Sequence, residues 1–201
     1  MGKTPANVRY AEVERETNET RVQVVVDLDG GPKSDAGTGI GFFDHMMDLM
    51  AHHGRINLGI KAEGDLHIDD HHTIEDIGIA FGLALRKALL NSPGLERFGQ
   101  SLQPMDESLV MVAIDICGRG VLVFDAPFTR ERIGGMSTEM VREFFRAVSA
   151  NAGITIHIKK ITSENDHHLC EAIFKGFGRA LRQAIEPTGN GEVNSTKGKI
   201  D

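Results

Sequence analysis

Two short patterns carry most of the chemistry this sequence can offer. Asp70-His71-His72 is followed by Glu75, and Asp166-His167-His168 is followed by Glu171. On an α-helix, residues three or four apart share a face, so each glutamate lies within reach of its histidine pair. Adjacent residues differ by about 100° around a helix axis, because one turn takes about 3.6 residues. Two imidazoles splayed that far serve a single ion poorly and two separate ions well. The simplest arrangement has two metal ions, each taking two histidines and one carboxylate drawn from both patterns. His45, in Phe43-Asp44-His45-Met46, and His157, which alternates with apolar residues in Ile156-His157-Ile158, are candidates for the remaining ligands. Cys117 and Cys170 have neither zinc nor redox spacing. Imidazole and carboxylate without thiolate suit Mn, Fe, Co, Ni or Zn. Open coordination positions favour a catalytic ion such as Mn²⁺ over a closed structural zinc.

The elements that must position these residues follow from hydrophobic period and turn signals. Strands are expected over 9–15 and 22–28, a Gly/Ser/Asp-rich loop over 30–41, a helix over 42–53 ended by Gly54, and a strand over 56–62. A helix over 71–90 is expected to be capped by Asp69 and Asp70 and stopped by Asn91-Ser92-Pro93-Gly94. Strands over 108–116 and 121–124, a helix over 137–150, a strand over 154–161 and a helix over 166–185 complete the pattern.

That order is a repeat. A shift of 96 residues, from Asp70 to Asp166, also sets Glu75 on Glu171, Gly82 on Gly178 and Ala84-Leu85-Arg86 on Ala180-Leu181-Arg182. The expected fold is α+β: internally duplicated β-β-α-β-α halves at 1–94 and 95–187, each a mixed sheet with helices packed on one face. The tail, 188–201, is polar and Gly-rich and is expected to be mobile when nothing is bound.

Composition narrows the function. The 201 residues carry 22 Lys and Arg against 29 Asp and Glu, a net charge of −7, with nine histidines. An acidic chain without clustered Lys and Arg does not suit nucleic acid. No apolar run approaches the roughly 20 residues a bilayer span needs, and residues 1–15 lack the apolar core of a signal peptide. A cytoplasmic, reduced protein with no membrane partner is expected. Cations for an anionic substrate are Arg97, Arg119 in the Cys117-Gly118-Arg119-Gly120 turn, Lys175, and the tail cluster Ser195-Thr196-Lys197-Gly198-Lys199. For a single arginine, a solvated surface charge is the commoner reading. Lys175 alone is tied to the ligands by geometry, four residues beyond Glu171. His52-His53 before Gly54 suits a helix C-terminus, and His67 suits loop surface.

Taken together, Phe43-Asp-His-Met-Met-Asp-Leu-Met-Ala-His-His-Gly54, Asp69-Asp-His-His-Thr-Ile-Glu-Asp76 and Asp166-His-His-Leu-Cys-Glu-Ala-Ile-Phe-Lys175 resemble the imidazoleglycerol-phosphate dehydratase family. Arg-Phe-Gly at Arg97 and the Ser-Thr-Lys-Gly tail agree, and the likeness covers nearly the whole chain. Ile74 and His52 depart from common family residues without touching an expected ligand. The resemblance implies a manganese lyase of histidine biosynthesis that dehydrates imidazole glycerol phosphate to imidazole acetol phosphate. It implies a duplicated, ribosomal S5 domain 2-like α+β fold and a homo-oligomer of 24 subunits with active sites between subunits. Two Mn²⁺ per site would be held by His45, His71, His72, Glu75, His157, His167, His168 and Glu171. Arg97, Arg119, Lys175, Ser195, Thr196 and Lys197 would hold the phosphate, and His53 would lie near the substrate. Glu19, which nothing but the resemblance singles out, would reach the substrate, so Glu171 or Glu19 supplies the acid–base step. The proton lost in this dehydration has no neighbouring carbonyl. Metal on both ring nitrogens would instead convert the imidazole to an imidazolate able to expel the hydroxyl. A dinuclear metal hydrolase and a passive metal-storage scaffold remain the alternatives from the residues alone.

Overall fold

A computed structural model describes residues 9–196 apart from 91, 93, 190 and 193. Among the described residues the chain forms β1 (Tyr10–Glu16), β2 (Thr20–Asp27), β3 (Lys33–Gly37), α1 (Gly41–Gly54), β4 (Asn57–Gly64) and α2 (His71–Leu90). It continues with β5 (Phe98–Met105), β6 (Ser108–Ile116), β7 (Val121–Asp125), the short hairpin β8 (Arg132–Ile133) and β9 (Met136–Ser137), α3 (Glu139–Ala152), β10 (Ile154–Thr162) and α4 (Asp166–Ala184). The duplication is explicit in strand order, which is β1-β2-β4-β3 in one sheet and β5-β6-β10-β7 in the other. In both sheets the last pair is parallel and the others are antiparallel.

Each four-stranded sheet therefore has one strand more than the hydrophobic pattern announced, and the second half adds the short β8–β9 hairpin. Lys33–Gly37 lies inside the segment expected to be loop, and Phe98–Met105 precedes the first strand expected in the second half. Both are sheet edges, where Gly and Pro are tolerated. Their structure comes from pairing with β4 and β6 and not from propensity. At the end of α1, Gly54 is the last helical residue, and the left-handed position expected of a terminal glycine falls on Arg55, at φ 54°.

Helices cover one face of each sheet: α2 packs on β1 and β2, and α4 on β5 and β6. The halves then join helix to helix, α1 along α4 and α2 along α3. Phe43, Phe81, Phe144, Phe145, Phe174 and Phe177 fill this middle layer, with ring centroids 5.0–6.3 Å apart between successive neighbours. The repeated glycines lie where helices cross. A Cβ on Gly178 would stand 2.5 Å from the Met50 carbonyl oxygen of α1, and one on Gly82 would stand 2.9 Å from the Val148 carbonyl oxygen of α3. The same crossing is thus built twice. No helix among the described residues is long and apolar enough to cross a membrane.

Because backbone cannot yield as a side chain does, Gly178→Ala and Gly82→Ala should each cost about 1–3 kcal/mol, lowering the melting temperature by several degrees. Gly135→Ala, with open space around its Cβ, should leave the melting temperature nearly unchanged. Equal melting of all three variants in a thermal scan would contradict the close crossing.

Candidate metal centre

The start of α4 is set by Asn165, whose Oδ1 accepts the His167 N–H at 2.9 Å. The His167 and His168 rings then diverge, their planes 86° apart and their centroids separated by 6.1 Å. His167 Nε2 lies 3.0 Å from Glu171 Oε1, and His45 Nε2 lies 3.3 Å from the same oxygen. His45 arrives because α1 runs along α4, with Phe42 edge-on to His167 at 5.0 Å. Lys175 donates to the other carboxylate oxygen, Glu171 Oε2, at 2.6 Å and also contacts Met105 Sδ. Burial by itself would raise the Glu171 carboxyl. The hydrogen bonds from Lys175, His45 and His167 outweigh it and hold the group at about 2.

The start of α2 repeats the design with different partners. Asp69 caps it, Oδ1 accepting the His71 N–H at 2.9 Å, and His71 and His72 splay by 78°. Asp70, expected to share the capping, turns away. It accepts from Ser137 Oγ at 2.7 Å, just as Asp166 accepts from Thr129 Oγ1 at 2.8 Å and Arg130 N at 2.7 Å. His72 Nδ1 lies 3.0 Å from Asp65 Oδ2 and 3.8 Å from Glu19 Oε2. His168 Nδ1 lies 2.8 Å from Glu107 Oε2. Hydrogen bonding to Asp65 raises His72, that to Glu107 raises His168, and Glu107 is drawn down to about 2, chiefly by its bond to His168. Glu75 pairs with Arg146 of α3 at 2.9 Å.

The eight expected ligands do not gather in one chain. Among the described residues no three His, Cys, Asp or Glu side chains are arranged to hold an ion. His157 is exposed on β10, between Ala113 and Val123, on the sheet face away from the helices. Of the anion-binding candidates, Lys175 lies at this centre, on Glu171, and the others lie elsewhere. Arg97 donates its N–H to Ala184 O at the C-terminal end of α4, roughly 25 Å along the helix from His167 at about 1.5 Å per residue. Its guanidinium grips Asp115 through Nε at 2.7 Å and Nη2 at 3.2 Å, lies 4.7 Å over the Phe98 ring, and donates to Asn194 O at 3.2 Å. Asn194 Nδ2 in turn donates to Glu96 O at 3.0 Å. The described part of the tail packs against Arg97, which brings Ser195 and Thr196 to that end. Lys197 lies outside the described residues. Arg119 follows Ile116, whose N–H donates to Arg97 O at 3.0 Å, so it belongs to the same end of the sheet.

His53 lines a cavity of about 490 Å³ with His52, Arg55, Arg179 and Arg182. Burial lowers its pKa first, and His52, Lys175 and Arg179 add to that. Sequence reasoning missed this guanidinium cluster because Arg55 and α4 meet only in the fold. It also missed Asp65 and Glu107, which lie outside the repeated motif.

The donors present fit a divalent cation that takes nitrogen and oxygen. Cys170 is fully buried and its thiol is pushed well up, so it does not offer a thiolate. Asp65 Oδ1 is buried beside His72 with no hydrogen-bond partner among the described residues, leaving acceptor capacity for a cation.

Because its folded-state pKa lies below the ordinary 4.5, Glu171 stabilises metal-stripped protein fully above that value, and the contribution is lost as pH falls towards about 2. Glu171→Gln should therefore differ from wild type in urea stability at neutral pH, the gap closing through that window. A gap independent of pH would contradict the hydrogen-bonded carboxylate.

Comparison with known proteins identifies a family. The sequence profile of the imidazoleglycerol-phosphate dehydratase family matches residues 38–181. The chain is 53% identical over 195 residues to imidazoleglycerol-phosphate dehydratase from Rhodopseudomonas palustris (strain BisB5), covering 96% of this chain and 99% of that protein. It is 52% identical over 194 residues to that from Caldicellulosiruptor saccharolyticus, covering 96% and 100%. A crystal structure of imidazoleglycerol-phosphate dehydratase from Staphylococcus aureus superposes with a TM-score of 0.81 at 41% identity, over 89% of this chain and 99% of that one. The structure from Pyrococcus furiosus gives 0.80 at 37% identity, over 92% and 99%.

Proposed function

The chain belongs to the imidazoleglycerol-phosphate dehydratase family, a hydro-lyase of histidine biosynthesis, and from that premise we propose how its residues divide the work. The substrate is D-erythro-imidazole glycerol phosphate, the product imidazole acetol phosphate, and the site is shared between subunits of a homo-oligomer. One observation carries the shared site. His167, His168 and Glu171 stand at the N-terminal end of α4, and Arg97 is held at its C-terminal end, roughly 25 Å away along the helix. A substrate with three carbons between ring and phosphate cannot bridge that distance, so its two ends meet residues of different chains. The exposed outer face of the second sheet supports assembly: Phe98, Leu102, Met111, Val121 and Val123 surround His157 there, an apolar patch of the kind that partners cover. A closed 24-subunit assembly is consistent with it.

Two Mn²⁺ would be held by His45, His71, His72, Glu75, His157, His167, His168 and Glu171, and bound metal supplies the electron withdrawal that acidifies the substrate's imidazole N–H. The remaining work is done by this chain's own groups. Arg97, Arg119, Ser195, Thr196 and Lys197 hold and orient the phosphate end, His53 lies near the substrate, and Lys175, which donates to Glu171, meets the substrate from the metal side. Glu171, kept ionised by its donors, is a ligand and can accept a proton but has none to give at neutral pH. Glu19, on the β1–β2 turn beside His72, is the group placed to exchange a proton with the substrate.

Manganese-loaded protein incubated with imidazole glycerol phosphate should form the ketone, read by its enolate absorbance in alkali. Release of inorganic phosphate instead would favour a metal hydrolase. Arg97→Ala should raise KM with little change in kcat, and a fall in kcat at constant KM would contradict phosphate anchoring. His167→Ala and Arg97→Ala chains, each impaired alone, should regain activity when co-assembled. Failure of mixed assemblies to exceed both parents would rule out a site shared in this way.

A further inference from the structure

The duplication extends beyond the histidine helices to the turns that face them. Glu19 closes the β1–β2 turn just before Thr20 begins β2, and Glu107 closes the β5–β6 turn just before Ser108 begins β6. Each glutamate stands beside the second histidine of its own half, Glu19 beside His72 and Glu107 beside His168. There the likeness stops. Glu107 is committed: Oε2 meets His168 Nδ1 at 2.8 Å, while Oε1 accepts Asn165 N–H and Ser108 Oγ, both at 3.0 Å. Glu19 stays 3.8 Å from His72 Nδ1, and its side chain is 55% exposed. Its carboxylate makes no hydrogen bond among the described residues. The His72 Nδ1 is taken at 3.0 Å by Asp65, the residue after β4, whose side chain is only 17% exposed. After β10 the corresponding residue is Ser163, which carries no charge and bonds Ser108 instead.

A carboxylate at Nδ1 accepts a hydrogen bond from that nitrogen and so keeps the proton there, fixes the ring's orientation, and leaves the Nε2 lone pair on the far side for a cation. We propose that the two duplicated glutamates have divided their tasks: Glu107 positions His168 for metal, Asp65 has taken over that task for His72, and Glu19, so released, is left to serve the substrate. This rests on the metal reading above. Glu107 also couples the ring to the helix start, because Asn165 is the cap of α4. It has no spare oxygen with which to reach a substrate.

The test is manganese binding by EDTA-stripped protein, followed by titration calorimetry and by the paramagnetic resonance of free Mn²⁺. Glu107→Ala and Asp65→Ala should each weaken uptake about 10- to 100-fold, with Glu107→Asp in between. Glu107→Gln is the sharper variant and keeps the shape should the alanine variant not fold. A glutamine that accepts the Asn165 N–H turns its amide N–H₂ towards His168, which then holds its proton on Nε2, so metal uptake should fall. Glu19→Gln should bind manganese as wild type does while losing turnover. Wild-type affinity in both Glu107→Gln and Asp65→Ala would overturn the division, as would a Glu19→Gln loss of affinity equal to that of Asp65→Ala. Wild-type protein that takes up no manganese would sink the metal reading itself, a result distinct from either.

Discussion

Everything at the site depends on how closely the helices of the two halves approach. Gly178 lets α4 lie against the Met50 carbonyl, and Gly82 lets α2 lie against Val148. That contact sets α1 beside α4 from end to end. It is the reason His45, from the first half, shares a carboxylate with His167, from the second. A side chain at either crossing would push the helices apart and move a nitrogen away from Glu171. The middle layer of six buried phenylalanines makes the approach favourable, since their apolar surface is removed from water there.

Duplication supplies two similar sets of residues, and the fold makes them unlike. The residues before each histidine pair keep their tasks: Asp69 and Asn165 cap the helices, and Asp70 and Asp166 hold the same connecting segment. The glutamates inside the helices differ. Glu171 is buried among three donors, whereas Glu75 reaches Arg146 on α3. Two ions bound through such sets would not be equivalent, even though the motifs that hold them read alike.

Much of this was legible in the sequence. The period of the helices, the 96-residue shift and the splay of adjacent histidines all rest on local geometry, which the order of residues determines. The edge strands β3 and β5 were not legible, because Lys33-Ser34-Asp35-Ala36-Gly37 and a segment with Gly99 and Pro104 carry no strand preference of their own. Asp65 and Glu107 escaped notice for a related reason. Nothing in their own neighbourhood marks them, and their meaning comes from a histidine brought close by the fold. The distance between Arg97 and His167 was equally hidden, although the length of α4 contained it.

The connecting segment between β7 and α3 has a mechanical consequence. It includes the β8–β9 hairpin, which has no counterpart in the first half. Its Thr129 and Arg130 are tied to Asp166, and its Ser137 to Asp70, so a single strap is fastened to both helices immediately before their histidine pairs. The two pairs are thereby yoked. Neither helix start can tilt or unwind without pulling on the strap, and displacement at one pair is transmitted to the other through covalent backbone.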